Sequence, residues 1–128
     1  FIITNSDVLT SMNYSNFLKF HKQNKSNITI AGKKEKFKIP FGIINKLKDN
    51  LIDISEKPCF NFIVNAGIYI LDRKIINKLS KPKHLQMTDL IKKIKDKKIL
   101  KKIFILHENW IDIGSINDLK KANSNEKF

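Results

Sequence analysis

At 128 residues, 41% of them hydrophobic and nine of them Phe, the chain has room for one domain with a real core, which excludes a compositionally disordered polypeptide. No apolar stretch reaches the roughly 18 residues that span a bilayer, and the N-terminus lacks the charged, apolar and small-residue succession of a signal peptide, so a soluble cytoplasmic protein without membrane partners is expected. The net charge of +13 would put nucleic acid first among partners, but 24 of the 25 basic residues are Lys, and the guanidinium fork that reads phosphates and base edges is represented by Arg73 alone.

Lys, Ile and Asn make up 60 of the 128 residues, and all three use A/T-rich codons, so a biased genome accounts for much of the charge. Nucleic-acid binding therefore ranks low, and the lysines of 92-KKIKDKK-98 and 101-KK-102 read as solvated faces. Cys59 is the sole cysteine, which excludes an internal disulfide and a cysteine-based zinc site; it reads as a small buried apolar residue.

In chain order, the apolar run 1-FIIT-4 predicts a buried strand at the very first residue, and buried strands have neighbours. The economical expectation is the C-terminal part of a longer protein. Residues 5-NSDVLT-10 hold turn formers, and 11-SMNYSNFLKFHKQN-24 predicts a helix behind a Ser11 cap, with Phe17, Leu18, Phe20 and His21 at helical spacing. A short strand at Ile28 to Ile30 precedes a β-rich stretch interrupted by Pro40 and Gly42, which suggests a hairpin with an irregular return, and another strand runs from Leu51 to Ile54. The run 60-FNFIVNAGIYIL-71 predicts a strand buried on both faces. Helices follow around Ile75, Ile76 and Leu79 and around Leu90, Ile91 and Ile94, the second with Thr88 or Asp89 near its start. A strand at Ile103 to Leu106, the segment 110-WIDIG-114, and a last helix from Leu119 to Ala122 behind Ser115 complete the domain, and 123–128 reads as a frayed tail. Alternating strands and helices predict an α/β fold with helices on both faces of a sheet.

Several residues could carry chemistry. Asp7 lies where the first strand runs out, the place where open α/β sheets present ligand groups, although Asn, Ser and Asp there are also ordinary turn formers. Asp112 sits between Ile111 and Ile113, so alternation puts its carboxylate on the face opposite both. If the two converge they make a hard-oxygen pair suited to Mg²⁺, and if not they are two loop aspartates. Glu56 and Lys57 set opposite charges side by side before Pro58, which biases Lys57 toward extended backbone; they could meet sugar hydroxyls and a phosphate, or form a solvated pair. Asn65 and Gly67 break the apolar run, either as a pocket lining or as a β-bulge. His21, His84 and His107 share no ligand-type spacing, His21 belonging to a helix face.

The succession 5-NSDVLT-10, 40-PFGII-44, 56-EKP-58, 65-NAGIYIL-71, 87-MTDLIKKI-94 and 108-ENWIDIGSINDLKKA-122 resembles the sugar-1-phosphate nucleotidyltransferases, nearest to the mannose-1-phosphate or glucosamine-1-phosphate guanylyltransferase-like subgroup. The likeness covers about residues 1–122. It implies a Rossmann-like, three-layer nucleotidyltransferase (glycosyltransferase-A-like) α/β fold with a mixed central sheet, and transfer of NMP from a nucleoside triphosphate to a sugar 1-phosphate with release of pyrophosphate. It also implies Mg²⁺ on Asp7 and Asp112, Gly42 against the sugar, Glu56 on sugar hydroxyls, Lys57 on the sugar phosphate, and Asn65 and Gly67 along the sugar pocket. In that reading Asp7, Lys57 and Asp112 are the catalytic residues.

Ser6 stands where the family often has Gly, and the family's Gly-rich stretch with Thr-Arg-Leu, which binds base and triphosphate, has no counterpart in this sequence. The 1–122 segment is therefore expected to be the sugar-phosphate- and metal-binding part of a nucleotidyltransferase domain, inactive alone. A non-catalytic sugar-phosphate-binding remnant is the alternative, with a basic nucleic-acid-binding domain behind it and a homo-oligomer left open.

Overall fold

The computed structural model describes residues 1–77, 86–114 and 118–120. The predicted Leu79 end of one helix, Ser115, and the 123–128 tail lie outside these. Among the described residues eight strands and three helices of five or more residues follow in the order β1 (Ile2–Thr4), β2 (Val8–Thr10), α1 (Tyr14–Gln23), β3 (Ile28–Lys38), β4 (Ile43–Leu47), β5 (Asn50–Ser55), β6 (Cys59–Leu71), α2 (Arg73–Asn77), α3 (Met87–Lys93), β7 (Lys101–Leu106) and β8 (Trp110–Asp112). Residues 118–120 are helical, at the start of the helix that the sequence predicts from Leu119 to Ala122, whose end lies outside the described residues.

The main sheet runs β1-β6-β3-β7 and is mixed: β1 lies antiparallel to β6, with Ile3 opposite Tyr69, and β3 lies parallel to β7, with Ile30 opposite Ile103. Two further ladders, β2-β8 and β4-β5, are antiparallel pairs. The chain divides into two compact units, one of residues 1–33 and 65–128, the other of residues 34–64.

In the first unit the two-residue strand period feeds two cores. Phe17 from α1, Ala31, Ala66, Ile68, Ile70 and Leu106 form one, with Val8 and Trp110 packed on it. Ile28 and Leu71 turn the other way and meet Ile75 of α2 and Leu90 of α3. Helices thus cover both faces, giving the α/β Rossmann-like arrangement that the alternation of elements predicts. Apolar burial of this kind contributes about 25 cal/mol per Å².

Local expectations change where tertiary partners intervene. Asn13, not Ser11, caps α1: its side chain accepts from the Asn16 N–H at 3.1 Å, while Ser11 donates its own N–H to the Asn109 carbonyl and so belongs to the strand ladder before the helix. The same pairing turns Val8 to Thr10, read as turn residues, into β2. Gln86 occupies the cap position of α3 without a side-chain bond, and Asp89 lies in the first turn. β3 extends far beyond Ile30: β7 accompanies it as far as Lys33, and β6 is its neighbour on the other side. The run expected to be buried on both faces is buried only over residues 66–71; Phe60, Phe62 and Ile63 are half-exposed, and Cys59 is exposed rather than buried. Among the described residues nothing buries the apolar side chains there, which periodicity cannot foresee.

His21 is on the inward face of α1. Its Nδ1 lies 2.7 Å from Thr29 Oγ1 and its Nε2 3.3 Å from Asp72 Oδ1, whose other oxygen accepts from Asn27 Nδ2 at 3.0 Å. The chain of hydroxyl, imidazole and carboxylate has the connectivity of a catalytic triad. Thr29 is fully buried, however, so no substrate reaches its hydroxyl, and the network ties α1 to β3 and to the start of α2.

Candidate functional site

Asp7 and Asp112 come together through the β2-β8 ladder. Val8 pairs with Asp112, and the Ile113 N–H donates to the Asp7 carbonyl at 2.7 Å, so the two aspartates occupy neighbouring rungs at one end of the ladder. Alternation places Asp112 on the face shared with Trp110 and Val8, while Ile111 pairs with Leu9 on the other. Both aspartates are exposed, and no described ion pair engages either carboxylate. The ladder brings the two backbones together, while its alternation sets Asp112 beside Val8 and Trp110 and not on the side that Leu9 shares with Ile111; in donor chemistry each carboxylate suits Mg²⁺, which takes one or two carboxylates from a protein and its other ligands from phosphates and water. Among the described residues no group of three or more His, Cys, Asp or Glu forms a denser metal cluster.

The ladder is fixed to β6 by two hydrogen bonds that the sequence reading did not foresee. Trp110 Nε1 donates to the Ala66 carbonyl at 2.9 Å, and the Asn5 N–H donates to the Gly67 carbonyl at 2.8 Å. Gly67 has φ +72°, and a Cβ there would stand 2.9 Å from Asn5 Nδ2 and 3.1 Å from Val8 Cγ2. Glycine is thus needed twice over, for the left-handed backbone and for the close approach of β6 to the segment between β1 and β2. Asn65 supports this bend: its Oδ1 accepts the Gly67 N–H at 3.2 Å and its Nδ2 donates to the Tyr69 hydroxyl at 2.6 Å. The described contacts of Asn65 and Gly67 are therefore within the strand and its neighbours.

Glu108 is a further residue that motif reading left without a role. Hydrogen bonding from its own backbone amide holds its carboxyl below the ordinary carboxylate range; partial burial opposes this, and backbone amides of His107 and Asn13 add to it. Since Asn13 caps α1, Glu108 links the approach to β8 with the start of that helix. Lys33 Nζ donates to the Glu108 carbonyl at 2.7 Å from the other side.

In the second unit, Gly42, Glu56 and Lys57 are gathered at one end of the β4-β5 hairpin. A Cβ on Gly42 would lie 3.0 Å from Glu56 Oε2, so the absence of a side chain there leaves the carboxylate its place. Lys57 Nζ is 3.9 Å from Glu56 Oε1, and both side chains are largely exposed. A pair so solvated is worth well under about 1 kcal/mol to stability, which frees both groups for a ligand. Lys57 does not adopt the extended backbone that Pro58 favours: its φ is +44°. The chain must turn between β5 and β6 while the Pro58 carbonyl accepts the Ile39 N–H at 3.0 Å, and that pairing overrides the local preference. A hollow of about 360 Å³ in this unit, lined by Lys34, Glu35, Lys36, Asn61, Phe62 and Ile63, contains none of these three residues.

The lysines at 92, 93, 95, 97, 98, 101 and 102 are all exposed, and Lys101 Nζ is spent on the carbonyls of Ile91 and Ile94 at the end of α3. Among the described residues no helix is long and apolar enough to cross a membrane.

Residues 1–127 match the family model described as Nucleotidyl transferase. The chain is 32% identical to the bifunctional protein GlmU of Methanocaldococcus jannaschii, the match covering 96% of this chain and 30% of that protein. It is 30% identical to mannose-1-phosphate guanyltransferase 2 of Candida glabrata, covering 92% of this chain and 34% of the relative. The crystal structure of HddC from Yersinia pseudotuberculosis superposes with a TM-score of 0.66 at 28% identity, over 95% of this chain and 53% of HddC, and a second structure of HddC is complexed with GMP-PN. The chain spans about a third of the length of these curated relatives and about half of the solved one. The family inferred from the order of motifs is the family found: the chain belongs to the nucleotidyl transferases, among the sugar-1-phosphate nucleotidyltransferases.

Proposed function

We propose that residues 1–122 supply the sugar-phosphate- and metal-binding part of an enzyme that transfers NMP from a nucleoside triphosphate to a sugar 1-phosphate. A phosphate oxygen of the sugar 1-phosphate attacks the α-phosphorus, the new P–O bond forms, and the bond to the β-phosphate breaks with release of pyrophosphate. Such chemistry needs positioning and neutralisation of charge rather than a protein nucleophile. Asp7 and Asp112 would hold Mg²⁺, which supplies that neutralisation when bound. Lys57 orients the sugar phosphate as a point charge, Glu56 accepts from sugar hydroxyls, and Gly42 keeps that carboxylate accessible. Asn65 and Gly67 are assigned to the strand lining the sugar, their bend setting how it runs.

The observation that carries the reading is the pairing of Asp7 and Asp112 on adjacent rungs of one ladder, from opposite ends of the sequence. Calorimetry of the 128-residue chain with glucose 1-phosphate and mannose 1-phosphate in MgCl₂ tests it. Saturable heat that is lost in Lys57→Ala, and whose Mg²⁺ dependence is lost in Asp7→Ala and Asp112→Ala, is expected. No heat at millimolar ligand would overturn the assignment. Joined to a complete amino-terminal half carrying the Gly-rich Thr-Arg-Leu stretch, the chain is expected to release pyrophosphate, with either aspartate variant at least about a hundredfold slower by the magnitudes usual for such groups.

A further inference from the structure

Seven of the 24 lysines fall within 92-KKIKDKKILKK-102, where Asp96 is the one acid, so this stretch carries a net charge of +6. Codon bias explains how many lysines the chain has, but not why they crowd one stretch. The fold turns it into a single exposed surface made of the end of α3, a turn and the start of β7, the strand that ends the order of the main sheet. Asp96 holds the turn: its Oδ1 accepts the Lys98 N–H at 2.9 Å and its carbonyl the Ile99 N–H at 3.1 Å. Asn27 fastens the turn to the end of α1, its Oδ1 accepting the Leu100 N–H at 2.9 Å and its own N–H donating to the Leu100 carbonyl at 2.9 Å. Lys25, two residues before Asn27, and Lys22, whose carbonyl accepts the Lys25 N–H at 3.0 Å, thereby join the patch from far away in sequence, and both are exposed. Lys101 is spent on the end of α3, whereas no described ion pair engages Lys92, Lys93, Lys95, Lys97, Lys98 or Lys102. Leu100 and Ile103 stand among them, 45% and 52% exposed.

Charge and composition identify the occupant. Lysines along a strand guard a sheet edge against pairing, yet only Lys101 and Lys102 of the seven lie on β7. A second copy brings the same charge and is repelled. A covering protein segment would have to supply a carboxylate for each of the six ammonium groups that it stripped of water. Residues 92–102 hold no Arg and no aromatic ring, which leaves base edges and base faces without a reader. An anionic bilayer asks for none of these: it takes hydrated point charges at its surface and accommodates exposed aliphatic side chains at headgroup level. We infer that the lysine patch of residues 92–102, with Lys22 and Lys25, docks the chain on the surface of an anionic phospholipid membrane. The binding is peripheral, since among the described residues no helix is long and apolar enough to cross a membrane.

Sedimentation of the 128-residue chain with vesicles of phosphatidylcholine, and with vesicles of phosphatidylcholine and phosphatidylglycerol in equal parts, tests this. Binding to the anionic vesicles alone is expected, and it should weaken as salt is raised. Lys97→Glu with Lys98→Glu should weaken it at least about tenfold, and Lys46→Glu with Lys48→Glu, which makes the same change of charge in the β4-β5 hairpin, less than about twofold. No binding to anionic vesicles, equal binding to neutral ones, or equal losses in the two double variants overturns the inference, the last because net charge rather than the patch would then be responsible. Displacement from the vesicles by RNA at an equal concentration of phosphate overturns it as well, and assigns the patch to nucleic acid. Should Lys97→Glu with Lys98→Glu unfold the chain, Leu100→Cys in a Cys59→Ser background, labelled with a polarity-sensitive dye, decides: a blue shift of emission on adding anionic vesicles supports the surface, and unchanged emission overturns it.

Discussion

The two compact units are built on opposite principles. Residues 1–33 and 65–128 bury side chains on both faces of a mixed sheet, whereas residues 34–64 bury none and rely on ladder hydrogen bonds and half-covered aromatics such as Phe37 and Phe62, whose ring centroids are 5.7 Å apart. The difference teaches that stability is concentrated in one part of the chain, while the exposed Glu56 and Lys57 pair stands in the other. A unit without buried side chains opens at little cost, and a well-packed one keeps its side chains in register.

The largest effect that would sharpen the contrast is expected from truncation. Phe17→Ala in α1, where the ring is fully buried 5.2 Å from Phe104, should lower the unfolding free energy by about 3 to 5 kcal/mol. Phe41→Ala in the second unit, 72% exposed, should change it by less than about 0.5 kcal/mol. Urea denaturation followed by circular dichroism measures both, and equal losses would break the comparison.

Glycine replacement comes next. Gly67→Ala forces an L side chain into a left-handed backbone and against Asn5 and Val8, with an expected loss of roughly 1 to 3 kcal/mol. Gly114→Ala meets open space and should stay within about 0.5 kcal/mol, as thermal melts would show.

Relief of strain is expected to be smaller and of opposite sign. Lys25, just past the end of α1, has φ +48°, and Lys57 has φ +44°. A left-handed L residue costs about 1 to 2 kcal/mol, and glycine's freedom in the unfolded chain takes back about half of that. Lys25→Gly should therefore raise the unfolding free energy by about 0.5 to 1 kcal/mol. Lys57→Gly should leave the main transition where it is, because its unit opens first, and should weaken sugar phosphate binding in calorimetry. A rise in the main transition with Lys57→Gly would show that the units unfold as one.

The smallest effect is a pH dependence. Because Glu108 titrates lower in the folded chain than in the unfolded one, its contribution is present above the ordinary carboxylate range and is lost as pH falls through the folded value. Melts from about pH 7 to about pH 3 should show the native chain losing stability on acidification more steeply than Glu108→Gln, with the two converging at the acid end.

Much of the first unit was legible in the sequence. Short apolar runs marked β1, β6 and β7, and helical spacing placed α1 and α3, because each pattern reflects a local geometry that the residues themselves impose. The hairpin and the outer half of β6 were less so: 60-FNFIVN-65 reads like a central strand, yet its phenylalanines stand half-exposed. The motif carrying Asp112 was visible, while Glu108 and the Trp110 anchor within the same segment acquired meaning only from Asn13 and Ala66, far away in sequence.

By itself, the sequence determined the family, through the order of its motifs, and the alternation of strands and helices, through the periods of its apolar residues. Tertiary structure alone decided that Asp7 and Asp112 share a ladder, that His21 is shut in between Thr29 and Asp72, and that Lys57 takes a left-handed backbone before proline. A residue's period says which way its side chain points, but what it meets there is set by segments that arrive from elsewhere in the chain.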